Sequence, residues 1–319
     1  MPQASLQRST PLDPAKFRDP WRTAKGEPRA SVALTALRTL WVNTGSLCNI
    51  ECIGCYMESG PKNDRLAYIT RAEVAQYLDE IQAAGLPVEE IGFTGGEPFM
   101  NRDFPDMLAD ALGRGFRVLV LTNAMAPLWQ KREALAALHA IHGEALVIRV
   151  SVDHYAATGH EALRGAGTWA TMLRGLKWLA AEGFNLTVAM RLTGSEGMEA
   201  VRAGFARLFA AEGIALDARD PSGLVLFPDM DATRDVPEIT TACWGILGVD
   251  PADMMCASQR MVVKPKGATE PQVVPCTLLP YDPAFHLGPR LADALDPIAL
   301  NHPHCATFCV LGGANCTGG

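Results

Sequence analysis

Between residues 56 and 242 this chain has no cysteine, although it carries nine in all. Cys48, Cys52 and Cys55 precede the gap; Cys243, Cys256, Cys276, Cys305, Cys309 and Cys316 follow it. Thiols segregated in this way along 319 residues suggest metal sites rather than the disulfide framework of a small secreted domain. No apolar run approaches the roughly 18 residues of a membrane span. The N-terminal stretch is polar and proline-rich and lacks the apolar centre of a secretory signal, so a cytoplasmic protein with no membrane partner is expected. No basic stretch offers a nucleic-acid footprint, and the net charge is −7. Neither a G-x-S-x-G elbow nor a G-x-x-x-x-G-K-[ST] loop occurs, which leaves hydrolase and nucleotide-kinase readings without support. Charged residues make up 20% and hydrophobic residues 48%, the balance of an ordinary globular chain with room for one large or two modest domains.

What the chain does have is a run of eight residues, Cys48 to Cys55, reading C-N-I-E-C-I-G-C and followed by Tyr56. Three thiolates spaced C-x-x-x-C-x-x-C can wrap one small metal cluster but cannot complete it. An iron–sulfur cube has four irons, each normally given a thiolate, so this loop leaves one iron with an open position. Structural zinc wants four closed ligands and fits the run poorly.

The loop follows an apolar strand-like run, Leu40 to Val42, and further on comes I-G-F-T-G-G-E-P, a second short strand ending in Gly95, Gly96, Glu97 and Pro98. Together these resemble the radical S-adenosylmethionine superfamily. The resemblance implies a site-differentiated 4Fe–4S cluster on Cys48, Cys52 and Cys55 whose open iron binds the amino and carboxylate groups of S-adenosylmethionine. It also implies reductive cleavage to a 5′-deoxyadenosyl radical, hydrogen abstraction from a small molecule or peptide, and a flavodoxin- or ferredoxin-type reductant.

In chain order, residues 1–36 contain five prolines and read as an extended arm packed over the body. From 37 to 235 strands are expected at 38–43, 89–93, 116–122, 145–152, 185–192 and 214–219. Helices are expected between Thr70 as cap and Gly85 as stop, and at 103–114, 127–140, 167–182 and 198–211. Such alternation means parallel strands with crossover helices, an α/β fold, and by resemblance a partial (β/α)6 barrel. Ligands in such folds sit at the carboxyl ends of the strands, where the suspicious polar residues fall.

By resemblance, Gly95, Gly96 and the Glu97 carboxylate meet the methionyl ammonium. Asn123 looks into the barrel mouth, in a T-N-A sequence where relatives often have T-N-G. Period two puts Arg149, Ser151 and Asp153 on one face. Arg149 then needs an anion, either a ligand's or that of Asp153 or Glu97. The resemblance places Ser151 near the ribose hydroxyls and Asp153 near ribose or substrate. Arg191, near the end of strand five, could hold the methionyl carboxylate in bidentate fashion, or form a rim salt bridge. Relatives often carry an aromatic residue just before the third cysteine. Gly54 stands there, so its amide and carbonyl can still contact adenine, and side-chain stacking is lost unless Tyr56 replaces it.

From 236 to 319 the strand–helix rhythm stops. R-M-V-V-K-P and P-Q-V-V-P-C read as a hairpin around Gly267, with Cys256 before it and Cys276 at its end. Cys305, Cys309 and Cys316 follow on H-P-H-C-A-T-F-C-V-L-G-G-A-N-C. This resembles the twitch or SPASM extensions that hold auxiliary 4Fe–4S clusters. Six thiols suffice for one closed cube, drawn from Cys256, Cys276 and two of Cys305, Cys309 and Cys316; a second, incompletely ligated cluster, a histidine ligand from His302 or His304, and zinc stay open. Cys243 is either a ligand or a small core residue beside Trp244. The final G-G-A-N-C-T-G-G is reminiscent of the glycine tail of a cofactor-biosynthetic cyclase, interrupted here by a cysteine. Two other readings remain: a peptide-modifying enzyme of the SPASM type and a non-catalytic iron–sulfur or metal-binding protein.

Overall fold

The computed structural model describes residues 10–193 and 196–317, so Gly318 and Gly319 of the glycine-rich tail lie outside the described residues. Ten strands can be followed: β1 (Ser31–Val32), β2 (Thr39–Asn43), β3 (Glu90–Thr94), β4 (Arg117–Thr122), β5 (Leu146–Ser151), β6 (Asn185–Leu192), β7 (Leu224–Pro228), β8 (Gln259–Val263), β9 (Gln272–Val274) and β10 (Ile298–Ala299). Seven helices accompany the first part of the sheet: α1 (Arg71–Ala84), α2 (Phe104–Gly113), α3 (Ala126–Gln130), α4 (Arg132–His142), α5 (Ala157–Arg164), α6 (Thr168–Ala181) and α7 (Met198–Glu212). The main sheet has the order β7-β6-β5-β4-β3-β2-β8-β9. Strands β2 to β7 are mutually parallel, six in all, as an open (β/α)6 barrel requires.

The strands lie between two apolar cores, and period two decides which residue serves which. Leu40 and Val42 of β2, Val118 and Val120 of β4, and Ile148 and Val150 of β5 point to the helices. Their neighbours Trp41, Leu119 and Val147 point inward and pack with Met255, Met261 and Phe308 from the C-terminal third. That segment therefore fills the concave face of the sheet. Its hairpin, expected as a feature of a separate unit, continues the sheet: β8 pairs in parallel with β2, and β9 returns antiparallel.

Helix α1 begins and ends where its capping residues lie. Thr70 and Glu73 form a reciprocal capping box, and Gly85 closes the helix with a φ of 59°. Strand six is displaced from its expected place. Residues 214–219 form a loop, because the Asp217 and Asp220 carboxylates accept from Arg219 N and Ser222 N two residues on and turn the chain. The strand is the apolar run behind it, β7. The expected helix at 127–140 is broken at Lys131 into α3 and α4, and α5 was not expected. From residue 10 the arm is helix-free but not fully extended: it turns at 14–17 and folds back at 24–25, where Arg22 bridges Pro28. Leu12 N donates to Thr233 O at 2.7 Å, and buried Arg29 pairs with Glu238 at 2.5 Å. Strand β1 then pairs with β10. Among the described residues no helix is long and apolar enough to cross a membrane.

Candidate active site

The loops after β2 to β6 enclose a cavity of about 170 Å³ at the carboxyl ends of the parallel strands. Cys48, Cys52 and Cys55 line it together with Gly95, Gly96 and Asn123. All nine cysteines of the chain are free thiols. Burial pushes the Cys48 thiol up to about 12 and raises that of Cys52, so these groups carry protons until a metal displaces them. The Asn123 amide lies 3.8 Å from Cys48 Sγ and 2.9 Å from Asn49 Oδ1. Three free thiols on one wall of a cavity fit the open-sided cube that the spacing implies.

The cysteine loop rests directly on the glycine loop. Gly96 N donates to Gly45 O at 2.8 Å and Glu97 N to Leu47 O at 3.2 Å. A Cβ at Gly96 would stand 2.0 Å from Leu47 O, so only glycine permits the approach. Glu97 departs from expectation. Its carboxylate is buried away from the cavity and accepts from Thr122 Oγ1 (2.8 Å), Asn123 N (2.8 Å) and Phe99 N (3.3 Å). Burial pushes it up to about 7 against those three donors. Its oxygens tie the loop after β3 to the end of β4, while Gly95 and Gly96 line the cavity. Ala124, where relatives carry glycine, holds a left-handed φ of 55°.

Arg149, Ser151 and Asp153 share the inner face as period two predicts, and all three line the cavity. Arg149 pairs with neither Asp153 nor Glu97. It donates to Cys316 O (2.5 Å), Thr317 O (3.0 Å) and Thr187 Oγ1 (3.1 Å), holding the C-terminal segment against the barrel. Asp153 lies between two guanidinium groups, 2.6 Å from Arg191 Nη2 and 2.8 Å from Arg164 Nε. These cations hold its carboxyl far below the usual carboxylate range despite burial.

Arg191 is therefore neither a free carboxylate anchor nor a rim pair. Besides Asp153 it donates to Ile53 O (2.7 Å) and Gly54 O (2.5 Å), clamping the cysteine loop to β6. Gly54 takes a φ of 66°, a backbone that disfavours the aromatic residue of relatives, and its carbonyl is committed to Arg191. Tyr56 faces the cavity with its hydroxyl on Pro228 O at 2.7 Å and its ring edge-on to Phe227 and Phe308.

The cation with unspent donors is Arg164, which the sequence reading passed over. It lines the cavity and spends only Nε, on Asp153, among the described residues. A basic residue before Gly165 at the end of a short helix was its one sequence signal.

A second cavity lies in the C-terminal third. Cys256, Cys276, Cys305 and Cys309 line it with Met254, Met255, Leu278, Leu279 and His304. Cys256 precedes β8 and Cys276 follows β9; Cys305 and Cys309 stand on a π-helical turn, Cys305–Val310. Burial raises all four thiols, Cys256 to about 11 and Cys305 to about 12. Cys316 stands apart, its sulfur 3.0 Å from Thr277 Oγ1. The half-buried Cys243 sulfur lies 3.4 Å from Thr240 N and Oγ1. Among the described residues no three His, Cys, Asp or Glu side chains converge as they would on a single ion; the thiols line two cavities.

The Radical SAM superfamily profile matches residues 42–202, just over half the chain. Mycofactocin maturase MftC of Mycobacterium ulcerans (strain Agy99) is 31% identical over 137 residues, which is 43% of this chain and 35% of that protein. The subtilosin biosynthesis protein AlbA of Bacillus subtilis (strain 168) is 28% identical over 144 residues, 45% of this chain and 30% of that protein. The matched region thus spans 35% or less of these two relatives. Streptococcus suis SuiB bound to precursor peptide SuiA superposes with a TM-score of 0.61 at 12% identity, over 83% of this chain and 66% of that one, a likeness of fold. Three cysteines and a glycine loop lining one cavity at the ends of parallel strands, within a segment that the family profile covers, make this chain a member of the radical S-adenosylmethionine superfamily.

Proposed function

We propose that Cys48, Cys52 and Cys55 hold a 4Fe–4S cluster by three of its irons and that S-adenosylmethionine binds in the cavity beside it. That these thiols and Gly95 and Gly96 line one cavity carries the reading. Bound there, the reduced cluster supplies the electron that splits S-adenosylmethionine to methionine and a 5′-deoxyadenosyl radical able to take a hydrogen atom from substrate. The chain's part is to position, to hold charge and to exclude water. Gly95 and Gly96 offer backbone to the methionyl ammonium. Arg164 pairs with the methionyl carboxylate, because Arg191 is committed to Asp153 and to the loop. Ser151 and Asn123 face the ribose, and Tyr56 packs against adenine.

The arm (1–36), barrel (37–235) and cysteine-rich region (236–319) then have separate tasks. Cys256, Cys276, Cys305 and Cys309 hold one auxiliary 4Fe–4S cluster of the twitch or SPASM kind, and the two remaining thiols of the cysteine-rich region, Cys243 and Cys316, are too few for another closed cube. Closed by four thiolates, such a cluster would supply a one-electron acceptor for a net oxidation of the substrate. A flavodoxin- or ferredoxin-type protein is the reductant for the first cluster. A peptide is favoured over a small molecule as substrate, since the relatives include maturases and SuiB was solved with its precursor peptide.

With dithionite and S-adenosylmethionine, the anaerobic protein forms 5′-deoxyadenosine, and the variant with Cys48, Cys52 and Cys55 all replaced by alanine forms none; nucleoside from that variant would refute the cluster assignment. Deuterium carried from a labelled peptide encoded beside the gene into 5′-deoxyadenosine would support the peptide reading. Transfer from a small molecule alone would reverse it.

A further inference from the structure

The C-terminal third buries a cation that no carboxylate neutralises among the described residues. Arg260, second residue of β8, is 0% exposed. Its Nε donates to Ala294 O at 2.8 Å, and its Nη1 to Cys256 O at 2.6 Å and Gln259 O at 2.8 Å. Its Nη2 has no partner among the described residues. The ionisable groups acting on it are Cys256 and Cys276, both on the wall of the second cavity.

Other buried arginines are treated differently. Arg29 has Glu238 at 2.5 Å, and Arg191 has Asp153 at 2.6 Å. Arg149 also lacks a carboxylate among the described residues, and it faces the barrel cavity, where the other cluster is placed. Backbone carbonyls satisfy hydrogen-bonding groups but do not cancel a full charge. An enclosed guanidinium without an anion is costly. Here it would also repel nothing and attract nothing if the neighbouring thiols stayed neutral. A cube held by four thiolates is negative in both redox states and gains one further negative charge on reduction. It is the counter-ion this pocket lacks.

We propose that Arg260 is the counter-charge of the auxiliary cluster and raises its reduction potential, which makes the cluster an electron acceptor. This rests on the reading of Cys256, Cys276, Cys305 and Cys309 as ligands. Arg260 touches the ligand loop through Cys256 O, so it is a positioning residue rather than a catalytic one. Its positive charge stabilises the reduced cube more than the oxidised one. Salt cannot screen the effect, because the group is enclosed.

The test uses full-length wild type, Arg260→Lys and Arg260→Met, each reconstituted anaerobically, assayed for iron and sulfide, then titrated with dithionite while both clusters are followed by electron paramagnetic resonance. Arg260→Met is expected to move the auxiliary midpoint to a more negative potential and to leave the Cys48–Cys55 cluster unmoved, with Arg260→Lys close to wild type. Loss of the second cube from Arg260→Met but not from Arg260→Lys would equally support a charge requirement. An unchanged auxiliary potential at equal iron in Arg260→Met overturns the proposal, and so does loss of the cube from both variants. Only one cube in wild type, about four irons, would overturn the ligand reading itself and the proposal with it.

Discussion

Asp153 joins two arginines of the cavity through one carboxylate. It accepts from Arg164 and Arg191, and Arg191 in turn grips Ile53 O and Gly54 O of the cysteine loop. Asp153→Asn leaves two enclosed cations without their anion and is expected to cost about 3–5 kcal/mol of stability at neutral pH. The folded-state carboxyl is depressed below its ordinary 3.8. Its contribution is therefore present above that value and is lost as pH falls through the depressed one. The gap in unfolding free energy between wild type and Asp153→Asn should hold from about pH 7 to about pH 5 and narrow below about pH 4 in denaturant titrations; a gap that stays constant down to about pH 2 would remove Asp153 from the ion network. The two arginines separate by function as well. Arg164→Met loses a charge-assisted contact of about 1.5–3 kcal/mol, so S-adenosylmethionine affinity should fall about ten- to a hundredfold in equilibrium dialysis with iron retained. Arg191→Met should instead release the loop and lower iron. If Arg191→Met weakens S-adenosylmethionine at full iron while Arg164→Met does not, the roles are reversed. Sequence pattern placed Arg149, Ser151 and Asp153 on one face because period two is a local property. It did not distinguish Arg191 from Arg164, because the partner that occupies one and spares the other comes from a different element.

At the scale of elements, parallel strands with apolar centres were legible to within a residue or two, as were the caps of α1. The misplaced sixth strand shows the limit. Ile214, Leu216 and Ala218 alternate like a strand, but Asp217 and Asp220 turn the backbone. Apolar alternation is visible in sequence, whereas a side chain folding back on its own main chain is not. The hairpin of β8 and β9 was legible; its parallel docking on β2 was not, since nothing local specifies which edge a strand joins. The C-terminal π-helical turn was equally hidden. Leu311 N donates to Ala306 O at 2.9 Å, five residues back, and the wide turn sets Cys305 and Cys309 against the same cavity. Deleting Thr307 should restore α-helical winding and swing one thiol away. The expected result is loss of the auxiliary iron with the Cys48–Cys55 iron and 5′-deoxyadenosine formation kept. Unchanged iron would mean that the turn does not place the ligands.

Across the whole molecule the first cavity is lined from the parallel strands of the main sheet, and two thiols of the second, Cys256 and Cys276, flank the β8–β9 hairpin that continues that sheet. Gln259 of β8 accepts from Trp41 Nε1 of β2 at 2.9 Å and donates to Asn315 Oδ1 at 2.8 Å, so barrel and C-terminal segment share a buried polar link. Arg149 adds a second tie, through the carbonyls of Cys316 and Thr317. On the proposed assignment, the three-plus-four division of the thiols between the two cavities would give one cube open to S-adenosylmethionine and one closed for electron transfer. The most direct measurement is iron and sulfide content after anaerobic reconstitution, with 5′-deoxyadenosine assayed after dithionite and S-adenosylmethionine are added. It is made on wild type, on the triple alanine variant of Cys48, Cys52 and Cys55, and on the quadruple alanine variant of Cys256, Cys276, Cys305 and Cys309. About eight irons in wild type and about four in each variant, with nucleoside from wild type and the quadruple variant only, is the expected result. About four irons in wild type, or nucleoside from the triple variant, would contradict it.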